Sequence, residues 1–278
     1  MLVDFHTHSR ASDGALTPTA LLARARDRGV EQFALTDHDT LAGYRALAPG
    51  AGAPRVHAGV ELSCQWAGAA IHVVGLGFDP DNPTLGAGLA TLARSRRERA
   101  ATIAARLDHR GFPGALAGAA AVADGSPLGR PHFARWLVTA GHVADEREAF
   151  RRYLGRNRPG DVRALWPSLA AVTGWIVAAG GIAVLAHPLH YRFTRMKLRR
   201  LTTDFVAAGG AALELVSGHQ QPAQTASLRR LADDFGLLVS VGSDFHGDRP
   251  GAAAVGVDTR PWRDLPGVWS RLAARAAP

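Results

Sequence analysis

Leu2-Val3-Asp4-Phe5-His6-Thr7-His8 is a short apolar run that ends in two histidines one residue apart, and Asp13 follows after a small polar loop. In a strand the side chains alternate faces, so His6 and His8 point to one side and can bind a single cation. Neutral imidazole is the commonest protein ligand for a transition metal.

Working outward, the same design recurs. Phe33-Ala34-Leu35-Thr36-Asp37-His38, Val56 to Glu61, Ile71 to Leu76, Ile182 to His187, Ala212 to Val216 and Leu237 to Asp244 are runs of apolar residues, most ending in a polar or titratable group. Near-continuous apolar strands that alternate with helices predict a parallel sheet covered on both faces. Helices are expected from Thr17-Pro18 to Gly29, where Thr17 caps and Gly29 stops the segment, and at Thr40–Leu47, Pro167–Ala179, Met196–Ala208 and Pro222–Phe235. A βα repeat leaves a barrel or a doubly wound sheet as the architectures to weigh.

The middle of the chain breaks this rhythm. A long helical pattern from about Leu85 to Gly111 is followed by a Gly/Ala/Pro-rich linker, Gly111 to Pro127, then by helices at Pro131–Ala140 and Asp145–Leu154. Residues 81–166 therefore read as a helical insertion over the active site, between the segments 1–80 and 167–278 of the main unit. Between Arg94 and Arg163 stand 14 arginines against 7 acids, a net of +7, so one quarter of the chain carries nearly the whole formal charge of +8. A basic wall suits an anionic partner such as a phosphate ester or nucleic acid. The single cysteine, Cys64, excludes an intrachain disulfide, and no basic and apolar leader precedes the first strand, which points to the cytoplasm. The longest apolar run, around Ile176 to Ala186, is interrupted by Gly180 and Gly181 and is shorter than the ~20 residues that span a bilayer, so no membrane segment is expected.

His6, His8, Asp13, His38, Glu61, His72, His187, Asp244 and His246 all lie on or just past one of those strands. In parallel α/β folds the loops at the carboxyl ends of strands open onto one crevice, so these groups are candidates for a common site. Imidazole and carboxylate without thiolate suit Mn²⁺, Fe²⁺ or Zn²⁺ better than Ca²⁺. Asp37, Asp39 and Glu214 read as neighbours that orient histidine ring N–H groups. In the insertion, Arg130 precedes a helix start and Arg135 follows on its first turns, where guanidinium and free backbone N–H donors can hold a phosphate. Arg96 and Arg99 share a face of the preceding helix at i, i+3. Phe133 and Trp136 read as helix core.

Asp4-Phe5-His6-Thr7-His8 with Ser12-Asp13-Gly14, Thr36-Asp37-His38-Asp39, Gly59-Val60-Glu61, His72, Ala186-His187-Pro188 and Gly242-Ser243-Asp244-Phe245-His246 resemble the motif series of PHP (polymerase and histidinol phosphatase) domains, which are amidohydrolase-like metal hydrolases. The resemblance implies a distorted seven-stranded β/α barrel with a helical insertion. It also implies two to three divalent ions, Mn²⁺ foremost: one on His6, His8, Glu61 and Asp244, a second shared through Glu61 with His72 and His187, and a third on Asp13, His38 and His246. Asp13 and His38 would face substrate as well; His187, His246 or a metal-bound water are the candidates to protonate the leaving oxygen, and Asp244 counts with His187 and His246 as catalytic. Gly129-Arg130-Pro131-His132 is similar to the stand-alone PHP phosphoesterases, a group that acts on nucleoside 3′,5′-bisphosphates and on short RNA 5′ ends. A small nucleotide, with short RNA as an extension, is therefore the expected partner. A histidinol-phosphate phosphatase would need an acidic recognition wall, and a metal-binding module without catalysis would lack ligands.

Overall fold

The computed structural model describes residues 1–162 and 166–275; Arg163, the last arginine of the basic quarter, lies outside them. The described strands form two sheets. The first has the order β3-β2-β1-β9, from Leu2–Asp4 (β1), Gln32–Ala34 (β2), Arg55–His57 (β3) and Val257–Asp258 (β9). The second runs β4-β5-β6-β7-β8, from Gly59–Trp66, Ala69–Leu76, Ile182–Leu185, Ala212–Ser217 and Leu238–Gly242.

The helices are α1 (Pro18–Asp27), α2 (Ala42–Arg45), α3 (Pro83–Asp108), α4 (Ala115–Ala123), α5 (Arg130–Thr139), α6 (Glu146–Ala149), α7 (Leu169–Ala178), α8 (Arg195–Ala207), α9 (Pro222–Asp234) and α10 (Val268–Arg275). Thr17 caps α1 as expected, its hydroxyl accepting from Ala20 N at 3.2 Å.

Neither sheet closes, so a continuous seven-stranded barrel is not formed by regular ladders. Backbone bonds stitch the sheets at two seams. Beyond β1, Phe5 N donates to Val241 O and His8 N to Phe245 O; beyond β2, Glu61 N donates to Thr36 O and Asp39 N to Glu61 O. Both seams run through residues of the candidate site.

The expectation of an all-parallel sheet is corrected. β5 pairs antiparallel with both β4 and β6, and β9 runs antiparallel to β1. The cause is local: Ala67 and Gly68 both take positive φ, +45° and +73°, which makes a two-residue hairpin turn and returns the chain directly. Val56 to Glu61, read as one strand, divides at Ala58 into β3 and β4, which join different sheets. The linker expected at Gly111–Pro127 contains α4, whose Ala115, Ala119 and Ala123 are buried. Small side chains bury without signalling a face by hydrophobicity. The helix expected at Asp145–Leu154 begins as α6 and continues as a π-helical turn over Phe150–Leu154.

The main core lies between the sheets and α7 to α10 and includes Phe205, Leu62, Ile71 and Leu76, all fully buried. Full burial of each such side chain contributes about 1.5–3 kcal/mol. α3 spans two cores: Leu85 and Leu92 enter the main one, whereas Ile103 and Leu107 join α4 and α5 around Phe133 and Leu137. That second cluster packs the arginine-bearing helices against one another. Among the described residues no helix is long and apolar enough to cross a membrane.

Candidate metal centre

Backbone geometry brings the nine groups together. His6 and His8 project from the extension of β1, and Gly242 opposite lets the two backbones close up: a Cβ there would lie 2.3 Å from His6 Cβ. Asp4 ties the same corner, accepting from Ser243 N at 2.9 Å and Gly256 N at 2.7 Å; burial outweighs these bonds and pushes its carboxyl up to about 6. His187 and Asp244 both take left-handed backbone conformations, φ +27° and +52°. Such conformations cost about 1–3 kcal/mol each in a non-glycine residue, and the surrounding bonds must hold them.

Glu61 is the centre. Its Oε1 lies 2.8 Å from both His72 Nδ1 and His187 Nε2. Its Oε2 lies 3.2 Å from His6 Nε2 and from His8 Nε2, and 3.0 Å from His38 Nδ1. Asp244 Oδ1 stands 3.4 Å from His8 Nε2, 3.6 Å from His6 Nε2 and 3.5 Å from His246 Nδ1. Asp13 faces His246 Nε2 at 3.4 Å and His38 Nε2 at 3.9 Å. Three groupings within ligating reach emerge: His8, Asp13, His38 and His246; His6, His8 and Glu61; His38, Glu61 and His72.

Electrostatics fit the same picture. Burial alone would raise the carboxyl groups of Glu61, Asp13 and Asp244, yet the imidazoles around them hold all three well below the usual range. In return, burial would lower His6, but Glu214, Glu61 and Asp244 hold it well above the ordinary value. The centre is thus a buried anionic cage that needs positive charge inside it.

The polar accounting shows what form that charge takes. His6 Nε2, both nitrogens of His8, His38 Nδ1 and His187 Nδ1 are buried without a hydrogen bond among the described residues. Buried ring nitrogens are otherwise nearly always paired. Two donor atoms held about 2.1 Å from one cation stand about 3.0–3.4 Å apart at octahedral to tetrahedral angles. The spacings around Glu61 Oε2 fall in that interval. The donor set fits divalent metal ions.

The supporting acids divide their work. Glu214 orients His6, accepting from Nδ1 at 2.9 Å, and accepts from His187 N at 2.6 Å. Among the described residues Asp37 and Asp39 accept from no histidine ring in this way. Asp37 accepts from Ser9 N at 2.8 Å and Ser12 Oγ at 2.6 Å, which shapes the loop that presents Asp13. Asp39 accepts from Ser63 N at 2.6 Å and Arg96 Nε at 2.5 Å.

The four arginines expected to line one wall are separated. Arg96 is buried in its ion pair with Asp39. Arg135 turns to the first loop, donating to Asp13 O, with Glu146 3.7 Å from its Nε. Arg99 and Arg130 stay together in a hollow of about 440 Å³ with Arg156, Lys197, Trp166 and Tyr191. Burial and the neighbouring Arg130 and Arg96 charges push Arg99 down to about 9. Cations crowded in this way favour an anion among them. Arg156, Lys197 and Tyr191 escaped the sequence reading; only the position of Tyr191 just past His187-Pro188 could have flagged it. Tyr191 Oη accepts from His72 N at 3.0 Å and lies 2.9 Å from Ala186 O, so it joins the hollow to the metal centre. His132 of the Gly-Arg-Pro-His motif is structural, with Nδ1 accepting from Gly129 N and Nε2 3.0 Å from Ser12 O.

A family model described as PHP domain matches residues 4–93. A 3′,5′-nucleoside bisphosphate phosphatase of Chromobacterium violaceum is 43% identical over 98% of this chain and 97% of its own length. The chain belongs to the PHP family. Within it, a 5′-3′ exoribonuclease of Haemophilus influenzae is 44% identical, over 87% of this chain and 89% of that protein. The crystal structure of a putative metal-dependent phosphoesterase from Bifidobacterium adolescentis superposes with a TM-score of 0.83 at 26% identity, covering 99% of this chain and 96% of that one. This PHP chain is therefore matched along almost its whole length by phosphoesterases.

Proposed function

We propose that this PHP protein is a metal-dependent phosphoesterase that removes the 3′-phosphate of nucleoside 3′,5′-bisphosphates, and that it takes short RNA from the 5′ end by the same chemistry. The observation that carries this reading is the pairing of two features: a carboxylate, Glu61, whose two oxygens face different sets of histidines, and a cationic hollow beside it. One part suits a reacting phosphate and the other a second phosphate on the same molecule. The named activities of the C. violaceum and H. influenzae relatives support it.

His6, His8, Glu61 and Asp244 would hold one ion, Glu61, His72 and His187 a second, and Asp13, His38 and His246 a third, with Mn²⁺ favoured and Fe²⁺ or Zn²⁺ suited to the same donors. When bound, such ions neutralise phosphoryl charge and acidify water. The chain's residues do the rest. Arg99, Arg130 and Arg156 hold the 5′-phosphate, which fixes the 3′-phosphorus over the cage; Tyr191 and Trp166 wall off water. Of the groups beside the phosphorus, His187 and His246 can pass a proton to the departing 3′-oxygen, while Asp244, held ionised by the imidazoles around it, serves to hold the ion. Residues 81–166 act as one lid-forming unit in this reading. The strands β1, β2 and β4 to β8 act as a distorted seven-stranded ring, supported by the backbone bonds at the two seams. A reducing, cytoplasmic setting suits a chain whose only thiol is buried and free.

Histidinol phosphate fits less well, because a cationic amine would meet Arg99, Arg130, Arg156 and Lys197 against the single acid Asp161 in the hollow. The test is phosphate release from adenosine 3′,5′-bisphosphate, AMP and histidinol phosphate in the presence of Mn²⁺. The bisphosphate should be turned over fastest, and a preference for histidinol phosphate overturns the substrate assignment.

A further inference from the structure

A second hollow, about 840 Å³ in volume, opens beside the loop that carries Asp13. It shares no lining residue with the Arg99 hollow. That one is framed by the β4–β5 hairpin and the segment after β6; this one by the loop after β1, by α2 and by the end of α4. The two therefore lie on separate arcs of the strand ends, and Asp13 and His246 adjoin the larger one: Ala15 N donates to His246 O, and Ser12 and Gly14, which flank Asp13, both line it.

The larger hollow has a small-residue floor and a cationic rim. Ala11, Ala15, Ala42, Ala46 and Ala121 line it, which keeps it open. Arg10, Arg135 and Arg249 stand around it, against Asp124 and Glu146. Glu146 is shared between Arg135 at 3.7 Å and Arg249 at 3.4 Å, so its charge is already spent on two cations. Arg10 Nε donates to Ala15 O at 2.9 Å, and among the described residues its terminal nitrogens make no hydrogen bond. Among the described residues its lining holds no Phe, Tyr or Trp, and the His132 imidazole is tied to Gly129 N and Ser12 O, so no large aromatic face is offered on which a base could stack.

Resting on the reading above, the bond cut is that between phosphorus and the 3′-oxygen. Water adds its oxygen to phosphorus, and the 3′-oxygen leaves with a proton as the hydroxyl of a 5′-mononucleotide. In a bisphosphate the other product is inorganic phosphate; in RNA it is the strand shortened by one nucleotide, with a new 5′-phosphate. The mononucleotide and its own 5′-phosphate occupy the Arg99 hollow, so the rest of an RNA strand must leave the reacting phosphorus by another route. We propose that the hollow beside Asp13 is that route, a subsite for the nucleotides 3′ of the scissile phosphate. The centre is then a through-groove for single-stranded RNA, read by its phosphates at Arg10 and Arg249 and indifferent to base identity. Its volume lies in the upper part of the range of about 300–1,000 Å³ found for small-ligand sites.

The experiment compares steady-state rates of the metal-loaded full chain on a 5′-phosphorylated RNA pentamer and on adenosine 3′,5′-bisphosphate. Wild type is set against Arg10→Glu, Arg249→Glu and Ala121→Trp; all three positions are exposed, which spares the core. Each charge reversal should raise KM for the pentamer about tenfold, with the gap closing at high salt, while values for the bisphosphate stay within about twofold. Ala121→Trp should give the same split by filling the space. Equal losses on both substrates, or no loss on RNA in any variant, overturn the groove. A wild type that turns over the bisphosphate but not the pentamer also overturns it and leaves the phosphatase reading standing; failure on both substrates removes that reading itself.

Discussion

Glu214 Oε1 accepts a hydrogen bond from His6 Nδ1 at 2.9 Å, which fixes the ring so that Nε2 points at Glu61 and Asp244. A carboxylate behind a ligating histidine sets its tautomer and raises its basicity, and its loss costs about 10–100-fold in metal affinity or activity. Glu214→Gln should therefore weaken Mn²⁺ activation by about that factor while leaving KM for substrate at saturating metal nearly unchanged. Titration of activity against free Mn²⁺ measures it, and an unaltered activation curve would contradict the orienting role.

Glu61 offers one oxygen to His72 and His187 and the other to His6, His8 and His38. Glu61→Ala should reduce turnover to background and lower the metal content per chain measured by inductively coupled plasma analysis. Near-normal activity would rule out a bridging role.

Arg99 and Arg130 share the cationic hollow, whereas Arg96 and Arg135 are committed to Asp39 and the first loop. Arg99→Ala and Arg130→Ala should each raise KM for a nucleoside bisphosphate by about tenfold or more, the scale of a lost charge-assisted phosphate contact. Hydrolysis of a simple aryl phosphate, which has no second phosphate, should change little. Equal losses on both substrates would refute the clamp.

His57 is buried on β3, its Nε2 3.0 Å from Gln32 Oε1, and burial with the nearby Arg55 pushes it down to about 4 from an ordinary 6.5. Below pH 6.5 the unfolded chain takes up a proton at this position that the folded chain refuses, so stability falls as the pH drops toward 4 and is insensitive to this group above 6.5. His57→Gln should flatten that part of the profile relative to wild type in urea unfolding between pH 4 and 8. Parallel profiles would exclude His57 as the source.

Cys64 is fully buried, and burial together with Asp39 pushes its thiol well above the ordinary value. The thiolate is the reactive form. The native protein should resist thiol reagents and become labelled only on unfolding, so rapid native labelling would contradict this packing.

The site was legible because imidazole and carboxylate groups are rare at the ends of apolar strands, and His6, Glu61, His187 and Asp244 all sit there. Less legible was how strands pair. The turn at Ala67-Gly68 reverses the chain without the Asn-Gly or Asp-Gly pair that advertises such hairpins, so the antiparallel direction of β5 is invisible in its composition. α4 hides because its buried Ala115, Ala119 and Ala123 do not stand out from the other alanines as an apolar face, although the alanine content itself favours a helix. Arginine partners were harder still. Arg96 and Arg99 share a helix face, but whether each meets an acid or a cavity depends on what packs opposite, and periodicity carries no information about that.

His132, Ser126 and Arg135 all reach across from the helical segment to the backbone oxygens of Ser12 and Asp13. A cover riveted in this manner to the hairpin of chain that bears a ligand is no hinged door: lifting it would drag Asp13 out of register with His38 and His246. Traffic into such an enzyme has to use fixed portals at its flanks, and mutations that loosen the rivets should disturb cation retention before they touch substrate entry.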